Sequence, residues 1–141
     1  VHLYVLVGLP GETWEEFQET VQCTRDCDPD FYYHSIFTPY PGTVLYDKCQ
    51  EMNLLEQGLD MTLERRRAVL DLPGFSRRQI RREYLLFAWR VYRGKWSALS
   101  ICKKLVGTWL RTNTTLYHAY RHLMRHRAFR DLMRRIGWQW G

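Results

Sequence analysis

The chain has no apolar run long enough to cross a bilayer. Its longest, around Tyr84–Val91, is interrupted by Arg90 and falls well short of the roughly 20 residues a membrane-spanning helix needs. We expect no secretory leader. Its four cysteines, Cys23, Cys27, Cys49 and Cys102, are too scattered for a disulfide framework, so a reducing, cytoplasmic setting is expected. There is no internal repeat and no low-complexity linker. Acidic side chains are scarce in the second half. Residues 61–141 carry 19 basic and 4 acidic groups, whereas residues 1–60 carry 2 and 11, so the net charge of +6 hides a split of −9 against +15. The acidic half suits an enzyme shell. The basic half suits an anionic partner: a lipid headgroup, a nucleic acid or another part of its own protein.

What is present is enough for one core. The 141 residues are 45% hydrophobic, with six tryptophans and nine tyrosines, in the size range of a single domain. The chain opens on Val1 inside an apolar run, from which we expect a piece of a longer protein.

Leu3–Val7 is short, apolar and rich in β-formers, and it stops at Gly8: a buried strand. Thr13 stands three residues before Glu16, the spacing of a capping box. The helix it opens carries Trp14, Phe17 and Val21 on one face and should end near Asp28-Pro29. Phe31–Phe37 is a second, aromatic strand. Another helix should follow, with Leu45, Cys49 and Met52 along one stripe and Gly58 in the loop beyond it. This alternation predicts parallel strands with helices packed outside. Residues 60–75 read as a loop with at most a short strand. Ser76 and Gln79 predict a second capping box, opening a helix with Ile80, Tyr84, Phe87, Ala88 and Val91 on its apolar face and ending at Gly94. A helix over Ser97–Leu110 and a last one over Thr114–Arg135 complete the prediction.

Two loops carry the chemistry. Gly8-Leu9-Pro10-Gly11-Glu12-Thr13 and Pro39-Tyr40-Pro41-Gly42-Thr43 each leave a strand and open a helix, at the strand ends where barrels and open α/β sheets bind ligands. Glycines let a backbone approach a ligand closely, and helix N-termini offer unpaired N–H groups to polar or anionic atoms. Either loop alone is also ordinary turn chemistry. Their order and spacing say more. Gly-Leu-Pro-Gly-Glu-Thr, then Glu-Glu-Phe on a helix, then a strand ending Pro-Tyr-Pro-Gly-Thr and followed by Leu45-Tyr46, resembles the late part of the radical S-adenosylmethionine barrel. The likeness is greatest to its cobalamin-binding branch, which includes the anaerobic magnesium-protoporphyrin IX monomethyl ester cyclase. It covers residues 3–58 and continues loosely through Leu72–Ser76.

The resemblance implies an α/β fold: two β/α units of a partial TIM-type barrel over residues 1–60, a linker over 61–75, and a helical, basic C-terminal region over 76–141. It implies S-adenosylmethionine, a [4Fe–4S] cluster and, for that branch, cobalamin, acting on an unactivated carbon of a small-molecule, lipid or tetrapyrrole substrate. Leu6, Val7 and Gly8 would lie near the adenine, with Thr38 and Tyr40 at the barrel mouth. His34 would reach substrate if its side of the second strand faced inward; the other reading is a hydrogen-bonded core histidine. The family's Cys-x3-Cys-x2-Cys motif is incomplete: Cys23 and Cys27 have the first spacing, but Asp30 occupies the third position. We read them as ordinary helix cysteines and expect the cluster ligands upstream, so that the chain alone is inactive.

His118, His122 and His126 recur every four residues, a spacing that serves metals on helices, yet Arg121 and Arg125 share their face, and a solvated basic face is our reading. From Met124 to Trp140 arginines mix with Phe129, Leu132, Met133, Ile136, Trp138 and Trp140. Such a tail either docks on the barrel with its arginines exposed or lies in a membrane interface. No nucleic-acid motif accompanies the charge. The rival to the enzyme is therefore a non-catalytic helical module that holds an anionic membrane surface or partner.

Overall fold

In a computed structural model, residues 1–55 and 67–135 are described, the side chains of Thr114 and Tyr117 excepted. Strand β1 (His2–Val7) and strand β2 (Phe31–Ile36) pair in parallel, in register from His2 opposite Phe31 to Val7 opposite Ile36. No third strand pairs with either among the described residues. Side chains alternate across the sheet. Val5, Val7, Tyr32, His34 and Ile36 are buried in the core. Tyr4, 83% exposed, stands with Leu6 and Tyr33 on the uncovered side.

Helix α1 (Trp14–Cys27) begins at the capping box expected from Thr13 and Glu16, both halves of which form. It ends where Asp28 turns left-handed at φ 43°, and Lys95 fixes that end by donating to the Arg25 carbonyl and to Asp28 Oδ1. Helix α2 (Val44–Glu51) is capped by Thr43. Its apolar stripe is thinner than its spacing predicts: Cys49 is fully buried, Met52 only partly, and Leu45 is 39% exposed. The Gly58 loop lies outside the described residues. From Arg67 onward the linker carries only an isolated antiparallel bridge, Leu72 to Phe75. It docks on the start of α1, where Trp14 N–H donates to Gly74 O.

Helix α3 (Arg77–Tyr92), opened by the Ser76–Gln79 capping box, packs on α1 and β2. The core is aromatic. Phe87, with no exposure, lies edge-on to Tyr32 at 5.0 Å and tilted against Phe17 at 6.2 Å, and Phe17 meets Phe75 at 5.5 Å. Removing such a ring costs about 3–5 kcal/mol. One charged group shares this interior. Glu83, 1% exposed, accepts from Arg90 Nη2 at 2.8 Å and from Trp14 Nε1 at 3.3 Å, and so ties α3 to α1. Helix α4 (Ala98–Thr112) packs on α3, and the Lys104 ammonium lies 5.0 Å above the Tyr32 ring and 5.4 Å above Trp96, cation–π contacts that hold it there.

The expected last helix is instead two. Helix α5 (Thr114–Leu123) stops at a turn over Met124–His126, and helix α6 (Arg127–Arg135) restarts beyond it. The turn closes with short-range bonds, Arg125 N–H to His122 O and His126 N–H to Leu123 O. It contains neither glycine nor proline, the residues that ordinarily announce a break. Trp138 and Trp140 lie outside the described residues. No helix among the described residues is long and apolar enough to cross a membrane.

Candidate cofactor loops at the strand ends

Because β1 and β2 are parallel and in register, both loops leave the same end of the sheet. Gly8 starts the first at φ 84°, a conformation L side chains rarely adopt. A Cβ there would also stand 3.1 Å from Ile80 Cδ1 of α3. The loop then closes on itself. Glu12 Oε2 accepts from Gly8 N–H at 2.7 Å and from Leu9 N–H at 3.2 Å, while Glu12 N–H donates to Leu9 O. Burial holds the Glu12 carboxyl above its ordinary pKa. The two N–H bonds oppose that rise and the neighbouring charge of Glu16 adds to it. Glu12 is thus the organiser of the loop, a role that its place in the Gly-Leu-Pro-Gly-Glu-Thr motif did not disclose. The signal that could have found it was its distance of four residues from the strand-ending glycine. The Gly8 and Leu9 amides are occupied by Glu12, so in this arrangement neither is offered to a ligand.

The second loop is pinned by Thr43, whose Oγ1 donates to Tyr40 O at 2.8 Å and accepts from Tyr46 N–H at 3.3 Å. Helix α2 then turns Lys48 toward the first loop, its Nζ 3.4 Å from where a Cβ on Gly11 would sit. Lys48 is a second residue the sequence did not single out, because only the fold brings it there.

The five positions carried by the resemblance separate by role. Leu6, 47% exposed, presents its side chain on the uncovered sheet face, and Tyr40 stands exposed at the rim. Gly8 is buried and shapes the turn. Val7 is 1% exposed and its carbonyl accepts from Phe37 N–H, so it belongs to the core. Thr38 is buried as well. His34 lies on the helix-facing side: its Nε2 is 2.9 Å from Tyr84 O, which makes Nε2 the protonated nitrogen, and its ring stacks on Phe87 at 5.0 Å. Burial lowers its pKa to about 4. The bond to Tyr84 opposes the shift, and the charges of Arg111 and Lys104 add to it.

Cys23 and Cys27 are exposed on α1, Cys102 is exposed on α4 and Cys49 is buried. Among the described residues no three histidines, cysteines or carboxylates come together to hold a metal ion, so these residues do not fit an iron–sulfur cluster. His118 and His122 line a shallow cleft of about 210 Å³ together with Arg121 and Arg125. Two guanidinium groups in the same cleft oppose a cation there.

No family model matches the chain, and no solved structure matches it. Short stretches are similar to curated proteins. A tRNA-2-methylthio-N(6)-dimethylallyladenosine synthase of Chromobacterium violaceum is 45% identical over 38 residues, 27% of this chain and 9% of that protein. The enzyme of the same name from Vibrio cholerae is 48% identical over 42 residues, 30% of this chain and 9% of that protein. An uncharacterized methyltransferase of Pyrococcus horikoshii is 40% identical over 50 residues, 36% of this chain and 11% of that protein. This local similarity supports the radical S-adenosylmethionine superfamily. The chain spans about a tenth of the length of the curated relatives it matches. Support extends to S-adenosylmethionine and a [4Fe–4S] cluster as the superfamily's cofactors; it does not reach cobalamin.

Proposed function

We propose that residues 1–55 form two consecutive β/α units of a radical S-adenosylmethionine enzyme and border its S-adenosylmethionine pocket. One observation carries this reading: the sheet is packed with helices on one face and leaves Tyr4, Leu6 and Tyr33 uncovered on the other, with both loops at the same strand ends. A barrel wall has that sidedness. In this reading Leu6 and Tyr40 supply apolar and aromatic contact to the adenine, Gly8 and Glu12 hold the loop in shape, and Lys48 places a positive charge beside it. S-adenosylmethionine and its cluster supply the radical chemistry when bound. The ligands for the cluster would come from elsewhere in the protein. The names of the similar proteins favour transfer of a methyl or methylthio group, while an unactivated carbon as acceptor and the use of cobalamin rest on the loop resemblance alone.

The test is made on the whole reading frame that contains these residues, purified anaerobically and reconstituted with iron and sulfide. It should yield 5′-deoxyadenosine from S-adenosylmethionine under a strong reductant. Leu6→Asp, an exposed substitution, should weaken S-adenosylmethionine binding by about tenfold or more, equivalent to about 1.4 kcal/mol, with iron content unchanged. Undiminished affinity in both Leu6→Asp and Tyr40→Ala, or no cleavage at all, would overturn the assignment. Cobalamin that co-purifies and is required for turnover would place the enzyme in the cobalamin branch.

A further inference from the structure

The C-terminal helices have a feature that the cofactor loops do not use. In α6, Arg127, Arg130, Arg134 and Arg135 with Asp131 take one side, and Ala128, Phe129, Leu132 and Met133 take the other, at helical spacing. The helix has no buried residue, and Leu132 is 53% exposed. Helix α5 repeats the plan. His118, Arg121 and His122, with Arg125 just beyond, line one face, while Leu116 and Leu123 on the opposite side are 38% and 46% exposed. The two helices touch through Tyr120 and Phe129, ring centroids 6.3 Å apart. Over residues 114–135 six arginines face a single aspartate. A solvated basic face explains the arginines but leaves the leucines uncovered on both helices.

We propose that α5 and α6 lie flat on an anionic lipid surface, their leucines and Phe129 dipping into the headgroup–acyl boundary and their arginines facing the phosphates. Interfacial helices combine a charged face with an apolar one and low overall hydrophobicity. Charge complementarity names the partner, because each arginine near an anionic leaflet adds to binding. A nucleic acid would satisfy the arginines and leave the aliphatic side chains without a role. The inference does not rest on the cofactor reading, and either can fail alone.

The experiment is co-sedimentation of the full 141-residue chain with vesicles of phosphatidylcholine alone and of phosphatidylcholine mixed with phosphatidylglycerol. Binding is expected only to the mixed vesicles, falling steeply with salt. Arg130→Glu with Arg134→Glu should weaken it by about tenfold or more. Leu123→Ser with Leu132→Ser, which leaves the charge intact, should weaken it several-fold. Neither pair touches the buried core, so the thermal transition serves as a folding control. If the serine pair binds as the parent does, charge alone holds the chain and the inserted helices are wrong. Tighter binding to polyuridylate than to vesicles, indifferent to the serine pair, would overturn the proposal in favour of a nucleic acid.

Discussion

His34 and Glu83 are polar groups inside an aromatic core, and each makes a distinct demand on it. His34 is held neutral, with a pKa lowered to about 4 chiefly by burial, against about 6.5 in an unfolded chain. Between these values the unfolded state binds a proton that the native state does not, so folding stability falls as pH drops from about 6.5 toward 4. The loss attributable to His34 is at most about 3 kcal/mol. Urea denaturation across this range should show it, and His34→Gln, which can still donate to Tyr84 O, should flatten the slope. Glu83 makes the opposite demand: it is a buried acid that needs its cation. Glu83→Ala strands the partly exposed Arg90 and the Trp14 indole N–H, and should cost about 2–3 kcal/mol. Glu83→Leu should cost less if packing rather than pairing dominates, a comparison that the same denaturation series makes. A hydrogen-bonded core histidine was one of the two readings the sequence left open for His34, whereas the role of Glu83 was not legible. Alternation put His34 beside Tyr32 and Ile36 but could not say which side of the strand met helices, and Glu83 reads as one more charge on a helix until α1 is laid against it.

At the scale of elements, the helix starts were the most legible feature, because they depend on residues three apart. Thr13–Glu16 and Ser76–Gln79 both form the boxes their spacing predicts. Thr13→Ala or Ser76→Ala should each destabilise the chain by about 1 kcal/mol, readable as a small drop in melting temperature. The turn at Gly8 was legible as a turn, but its burial under α3 was not. Ile80 stands 72 positions away in sequence, and only packing brings it against Gly8. Gly8→Ala therefore faces two penalties, the left-handed backbone and the 3.1 Å approach to Ile80. It should destabilise by about 2 kcal/mol or more. Combining it with Ile80→Val should recover only part, since the smaller side chain relieves the contact and not the φ. The break between α5 and α6 was not legible at all, because its apolar and cationic positions keep helical spacing on both sides of Met124–His126.

At the scale of the molecule, the sheet is the least self-sufficient part. Parallel strands are ordinarily covered on both faces, and two strands alone are marginal in water. Here one face is buried in the core against α3, while the other exposes Tyr4, Leu6 and Tyr33 together. An uncovered apolar face attached to a well-packed aromatic core should behave as a sticky surface on a folded body. The 141-residue chain is therefore expected to bind an apolar fluorophore such as anilinonaphthalene sulfonate while keeping a cooperative thermal transition, and to associate as its concentration rises. Tyr4→Lys with Leu6→Lys should suppress both dye binding and association, measured by fluorescence and analytical ultracentrifugation. The melting temperature should move by only a few degrees, because neither side chain belongs to the buried cluster. Native-state hydrogen exchange divides the molecule along the same line: amides of α3 should open only with global unfolding, and those of α6, which has no fully buried residue, should exchange through local opening. If the lysine pair instead unfolds the chain, the uncovered face contributes to the core. The sidedness from which a barrel wall was inferred would then be lost.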